Sequence, residues 1–175
     1  ISPNGTTRSM TYASVPVAIA RATDAYVARG SESTASSSRV VSERFTTANN
    51  VSLLLPDGIG AVLSMVKTPY HRPSLNFGDY VGAEKYTLTW SSTPTAGVRR
   101  SFETTIDPAW FPGFGSHTVV FPDFTGTPGF DPIWVLPANA TGQSVYMDVQ
   151  AHRILPTPEG FTTTRASAFT TVQLN

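Results

Sequence analysis

Apolar and polar residues alternate with a period of two along much of the chain. In KYTLTW, Tyr86, Leu88 and Trp90 fall on one parity and Lys85, Thr87 and Thr89 on the other. In SVYMDVQAHR, Val145, Met147, Val149 and Ala151 alternate with Tyr146, Asp148, Gln150 and His152. A strand with one face on a core and the other in water produces this pattern. The same reasoning predicts strands at Met10 to Ile19, Arg39 to Thr47, Val51 to Leu55, Arg99 to Ile106, His117 to Phe121 and Ala166 to Leu174. Between them lie turn clusters such as LPDG, SSTPTAG and LPTPEG, whose Pro, Gly and Asp suit chain reversal. Val17 to Arg29 and Gly58 to Lys67 carry apolar residues on both parities and fit either a strand or a short helix. The whole predicts an all-β, antiparallel β-sandwich, with a jelly roll as the alternative.

The polar stretch GSESTASSS, Gly30 to Ser38, reads as a mobile loop. It suggests an N-terminal arm and flexible loop over residues 1–38 and a sandwich over 39–175, with a single domain over 1–175 as the other division.

Charge narrows the choice of partner. Lys plus Arg and Asp plus Glu balance at 12 each, so no net field draws the molecule to nucleic acid or to an anionic membrane. Charged residues are 14% of the chain, against about 25% in an average protein, and Ser and Thr supply the surface polarity instead. That surface suits the outside of a cell or particle. With no Cys, disulfides, thiolate metal sites and cysteine nucleophiles are excluded. The longest apolar runs are too short for a membrane-spanning helix, so no membrane insertion is expected of this segment. The start at Ile1 suggests a processed piece.

The strongest candidate for chemistry is a repeated turn. IDPAWFPG at Ile106 to Gly113 and FDPIWVLP at Phe130 to Pro137 each place Asp-Pro-x-Trp after an apolar residue. Asp accepts from the backbone two residues on, and Pro presets φ, so each motif is a turn with a Trp at its exit. The proline-rich chain between them, with Phe111, Phe114, Phe121, Phe124 and Phe130, is expected to be loop or sandwich cap. Two roles fit. The Trp side chains close the ends of the sandwich while the Phe residues plug the gap between sheets. Otherwise Trp110 and Trp134 stack on sugar rings, Phe111 and Phe114 wall the site, and Asp107 and Asp131 shape the turns or accept from hydroxyls. The first role is the ordinary fate of large aromatics and is preferred.

Other chemistry finds less support. His71, His117 and His152 lack the close spacing of a metal site and would have to converge through the fold. Ser116 and His117 are adjacent, so on a strand they face opposite ways, and no G-x-S-x-G elbow or phosphate-cradling glycine loop is present. No motif selects a pair of carboxylates for glycoside hydrolysis. No catalytic residue, metal ligand or cofactor is therefore assigned.

The succession YTLTW, FETTID, VVFPDFTGTPGFDPIWVLP and SVYMDVQAHR, within Val51 to Ile154, resembles the later strands of fibronectin type III and immunoglobulin-like β-sandwich domains of bacterial cell-envelope proteins and lipoproteins. The resemblance implies a non-catalytic spacer or adhesion module, secreted or on the cell envelope, with polysaccharide or another surface protein as partner. FGDYVGAEKYTLTW also resembles an inner strand of a viral jelly roll, which implies a capsid or receptor-attachment domain on a virion. A secreted hydrolase or metal-binding enzyme is the third expectation.

Overall fold

The computed structural model describes residues 16, 19–21, 24–47, 50–93, 99–111, 113, 115–137, 140–158 and 160–174. Among these residues ten strands form in chain order: β1 (Tyr26–Ser33), β2 (Ser37–Phe45), β3 (Ala61–Val66), β4 (Tyr70–Gly78), β5 (Lys85–Thr93), β6 (Arg100–Ile106), β7 (Ser116–Val120), β8 (Leu136–Pro137), β9 (Gln143–Thr157) and β10 (Gly160–Leu174). They make two antiparallel sheets, one of six strands in the order β1-β2-β10-β9-β5-β6 and one of four, β3-β4-β7 with β8 paired to β4. The all-β sandwich expected from the alternation is the architecture found.

Alternating residues from both sheets meet in one core. Tyr86, Leu88 and Trp90 of β5 and Val145, Met147, Val149 and Ala151 of β9 meet Leu75 and Phe77 of β4 there. The opposite parity of β5 and β9 lies on the outer face of the large sheet. Lys85 pairs with His152, Thr87 with Gln150 and Thr89 with Asp148.

Three local expectations differ from the fold. Gly30 to Ser38 is not a loop: it closes the β1–β2 hairpin, whose strands pair from Tyr26↔Phe45 to Ser33↔Ser38. Short hydroxyl side chains on both parities hide the period, although the ladder satisfies the backbone as fully as in an apolar strand. Val51 to Leu55 forms no strand. Leu53 and Leu55 instead lie over Gly30 and Val41, and Arg39 donates to the carbonyl of Pro56 at 3.2 Å. The small sheet does not extend over β1 and β2, so this irregular segment covers their apolar side. The third difference is β4, a central strand containing Pro73, where no strand was expected. Pro73 stands opposite Met65, and its carbonyl accepts from the Phe121 N–H at 3.0 Å.

Of the two segments that fitted strand or helix, one contributes β1 and the other β3. The strand expected at Met10 to Ile19 lies almost wholly outside the described residues.

Candidate functional site: two capped turns and a polar sheet face

Both Asp-Pro-x-Trp motifs are single turns of 3₁₀ helix, Pro108–Trp110 and Pro132–Trp134. Asp107 accepts from the N–H of Ala109 at 2.8 Å and Asp131 from that of Ile133 at 2.9 Å. Each carboxylate thus caps its turn two residues on, as the sequence implied. Proline fixes φ at the first position, so the indole leaves a backbone with little freedom to lose.

The preferred role for the Trp residues is overturned. Trp110 is 72% and Trp134 53% exposed, so neither indole plugs the sandwich. The turns explain why: a three-residue turn aims neighbouring side chains in different directions, and the inward position goes to another residue. After Trp110 it is Phe111, whose ring stacks on His117 at 4.2 Å and meets Phe77 and Tyr86 edge-on at 5.8 and 6.0 Å. After Trp134 the chain dives into the core at Val135 and Leu136.

The motifs sit at opposite ends of β6. Asp107, which caps the first turn, follows directly on Ile106, whereas the carbonyl of Ile133 accepts from the Arg100 guanidinium at 2.6 Å. Six residues of extended chain separate Arg100 from Ile106, about 20 Å at ~3.4 Å each. Trp110 and Trp134 therefore do not share a platform, and Phe111 serves as a support beneath the first turn. Phe114 lies outside the described residues.

Trp134 has the more extensive support. A succession of rings runs from buried Trp90 to Phe102 (5.1 Å, stacked), Phe124 (6.5 Å), Phe130 (6.2 Å) and Trp134 (6.2 Å, edge-on). Tyr70 stacks on Phe130 at 6.0 Å. Its hydroxyl donates to the carbonyl of Pro122 at 3.1 Å and accepts from the N–H of Phe124 at 2.7 Å. Residues 121–134 are thereby tied to both sheets. Within this segment Asp123 is held below its ordinary value by hydrogen bonds from Thr125, the side chain contributing most and the backbone N–H next.

At the other end, His117 is 7% exposed and bonded through Nε2 to Asp79, whose second oxygen accepts from the Gly115 N–H. The bond from His117, followed by that from Gly115, pulls the Asp79 pKa below 3.8. Among the described residues no nucleophile joins this pair: Ser116 faces away and donates to Asn76 at 2.8 Å. The histidines do not converge, because His71 and His117 mark opposite ends of β4 and His152 lies on the outer face of the large sheet. Among the described residues no three His, Asp or Glu side chains cluster as a metal site would require. No helix among them is long and apolar enough to cross a membrane.

The outer face of the large sheet contains polar groups that the sequence reasoning passed over. Asp148 is 3% exposed, and burial raises its pKa against the lowering effects of a hydrogen bond from Gln150 and the charge of Arg165. Further along the face, Arg29, Lys85, His152 and Arg165 surround a hollow of about 370 Å³. The signal was present in the outward parity of strands already recognised, but it emerges only when the strand order is known. No family model matches the chain, and no curated protein or solved structure gives a significant match to it.

Proposed function

We propose that the protein is a non-catalytic β-sandwich module of a secreted or cell-envelope surface, and that the turn carrying Trp134 binds carbohydrate. The observation that supports this reading is the division of labour within each turn. Asp and Pro hold the backbone, neighbouring rings support it from inside, and the indole remains in water. An exposed indole on a rigid loop stacks on the apolar face of a sugar with little conformational entropy lost. Trp134 is the principal contact and Trp110, at the far end of β6, is a separate and weaker one. Asp107 and Asp131 act on the ligand only through the turns they cap.

Fluorescence titration with soluble neutral polysaccharides tests the reading. Trp90 is buried, so acrylamide reports chiefly on Trp110 and Trp134. Bound polysaccharide protects the protein from quenching, and Trp134→Ala weakens binding about tenfold, in line with the ~0.5–1.5 kcal/mol of an aromatic stacking contact. Unchanged emission and unchanged quenching across a panel of glucans, mannans and xylans would refute it.

A further inference from the structure

The hollow on the outer face of the large sheet is built from two adjacent rows of cross-strand neighbours. One row runs Val40, Arg165, His152, Lys85 across β2, β10, β9 and β5. The next runs Arg29, Ser42, Thr163, Ile154 across β1, β2, β10 and β9. Directly paired residues point to the same face with strands about 4.8 Å apart. Lys85 and Arg165 thus flank His152 from either side, and the hydroxyls of Ser42 and Thr163 lie one row away. Arg29 and Glu84 complete the charged lining.

The balance of charge there is lopsided. In a chain of zero net charge, the hollow gathers Arg29, Lys85 and Arg165 around His152, with Glu84 as the carboxylate in its lining and Asp148 further along the face within the field of Arg165. The ion pairs among the described residues are Arg39 with Glu32 and His117 with Asp79, and none involves these three cations. Like charges on neighbouring strands repel, and a concave wall focuses their field. Three cations around a histidine, offset only in part by Glu84 and by the buried Asp148 further along the face, suit an anion from outside. The bases are a fork-shaped guanidinium on β10 and an ammonium on β5, with hydroxyl donors beside them, which matches the several oxygens of a tetrahedral oxyanion.

We propose that this hollow binds a phosphate or sulfate group, as the free ion or as an ester. Arg165 and Lys85 hold the oxyanion from opposite sides, Ser42 and Thr163 donate to it, and His152 lies between the two bases. The site is independent of the aromatic turns. Burial, then the charges of Lys85 and Arg165, keep the His152 pKa below 6.5 in the empty protein. An anion seated beside it reverses the electrostatic part of that effect, so binding raises the midpoint of His152 and strengthens as pH falls.

The imidazole proton resonances of His152, followed by NMR from pH 8 to 5, test this at constant ionic strength in chloride, inorganic phosphate, inorganic sulfate and a sulfated disaccharide. The midpoint is expected to rise with each oxyanion relative to chloride. A disaccharide effect at lower concentration than inorganic sulfate supports the saccharide ester as ligand, and the unsulfated disaccharide gives none. Arg165→Gln and, separately, Lys85→Gln reduce affinity about tenfold, the usual scale of a lost charge-assisted contact, whereas Arg99→Gln, outside the hollow, leaves it unchanged. Circular dichroism confirms that each variant is folded. An oxyanion midpoint equal to that in chloride overturns the proposal, as does a rise that survives in both Arg165→Gln and Lys85→Gln. Equal potency of inorganic sulfate and the disaccharide identifies the free oxyanion as the ligand.

Discussion

Replacing Tyr70 by Phe removes one oxygen atom and tests whether that hydroxyl holds the Trp134 turn in place. Tyr70 is 6% exposed; its ring stacks on Phe130, and the variant retains the ring. The hydroxyl is lost, together with its bonds to Pro122 and Phe124 at 3.1 and 2.7 Å. Each intramolecular hydrogen bond contributes about 0.5–1.5 kcal/mol net, and a partner left dry costs about 1–3 kcal/mol. Water reaches the exposed Pro122 more readily than the half-buried Phe124, so the expected loss lies at about 1–3 kcal/mol, most of it from Phe124. Urea unfolding followed by circular dichroism measures that loss, with an unchanged slope showing that the same surface is exposed on unfolding. Because residues 122–124 lose their hydrogen bonds to β4, acrylamide quenching of Trp134 should also rise, read in a Trp110→Phe background. A loss under about 0.5 kcal/mol with unchanged quenching would refute the reasoning and assign the support to ring stacking alone.

Gly160→Ala tests a close approach of backbones at the tip of the β9–β10 hairpin. An added Cβ would lie 2.5 Å from the carbonyl oxygen of Arg44, so the tip must shift, and thermal unfolding should show a loss of about 1–3 kcal/mol, as overpacking gives; an unchanged midpoint would contradict the pairing of β10 with β2 there. The pH dependence of stability has a definite sign. His152 has a folded pKa below 6.5, so below pH 6.5 the unfolded chain takes up a proton that the folded one resists, and stability falls with pH until the folded pKa is passed. His152→Gln should flatten that limb of a urea midpoint measured from pH 8 to 5. Asp79, also lowered, contributes stability that is full above pH 3.8 and lost on further acidification through its folded pKa; Asp79→Asn should therefore move the acid unfolding transition.

The strands that showed in the sequence were those whose two faces meet different solvents. Tyr86, Leu88 and Trp90 face the core while Lys85, Thr87 and Thr89 face water, and the same contrast marks β9. β4 was hidden because its inward parity is His71, Pro73, Leu75 and Phe77, whose first two residues carry no strand signal. Val51 to Leu55 misled in the opposite direction: it alternates like a strand because it lies on apolar surface, yet it joins no ladder. Gly30 to Ser38 lacked contrast because β1 is an edge strand and the hairpin it opens carries Ser and Thr on both parities, from Ser31 to Ser38. The turns at Asp107 and Asp131 were legible because Asp-Pro chemistry is local. The exposure of Trp110 and Trp134 was not, because it depends on which neighbour the core accepts.

The unequal sheets link these observations to function. Six strands cannot be covered by four, so the inner side of β1 and β2 takes its cover from Leu53 and Leu55, and the side beside β6 is closed by Phe102, Phe124 and Phe130. All of this apolar cover lies between the sheets or along their margins. The outer face of β1, β2, β10, β9 and β5 can therefore vary without disturbing the core, and there the chain gathers cations that a merely solvated face would disperse among carboxylates. Trp134 follows the same logic at the margin: Phe130 and Val135 satisfy the core on either side, and the indole between them stays in water. Removing Trp134 should consequently cost little stability while removing Phe130 costs much. The reverse order would mean that the indole supports the sandwich and that its exposure carries no function.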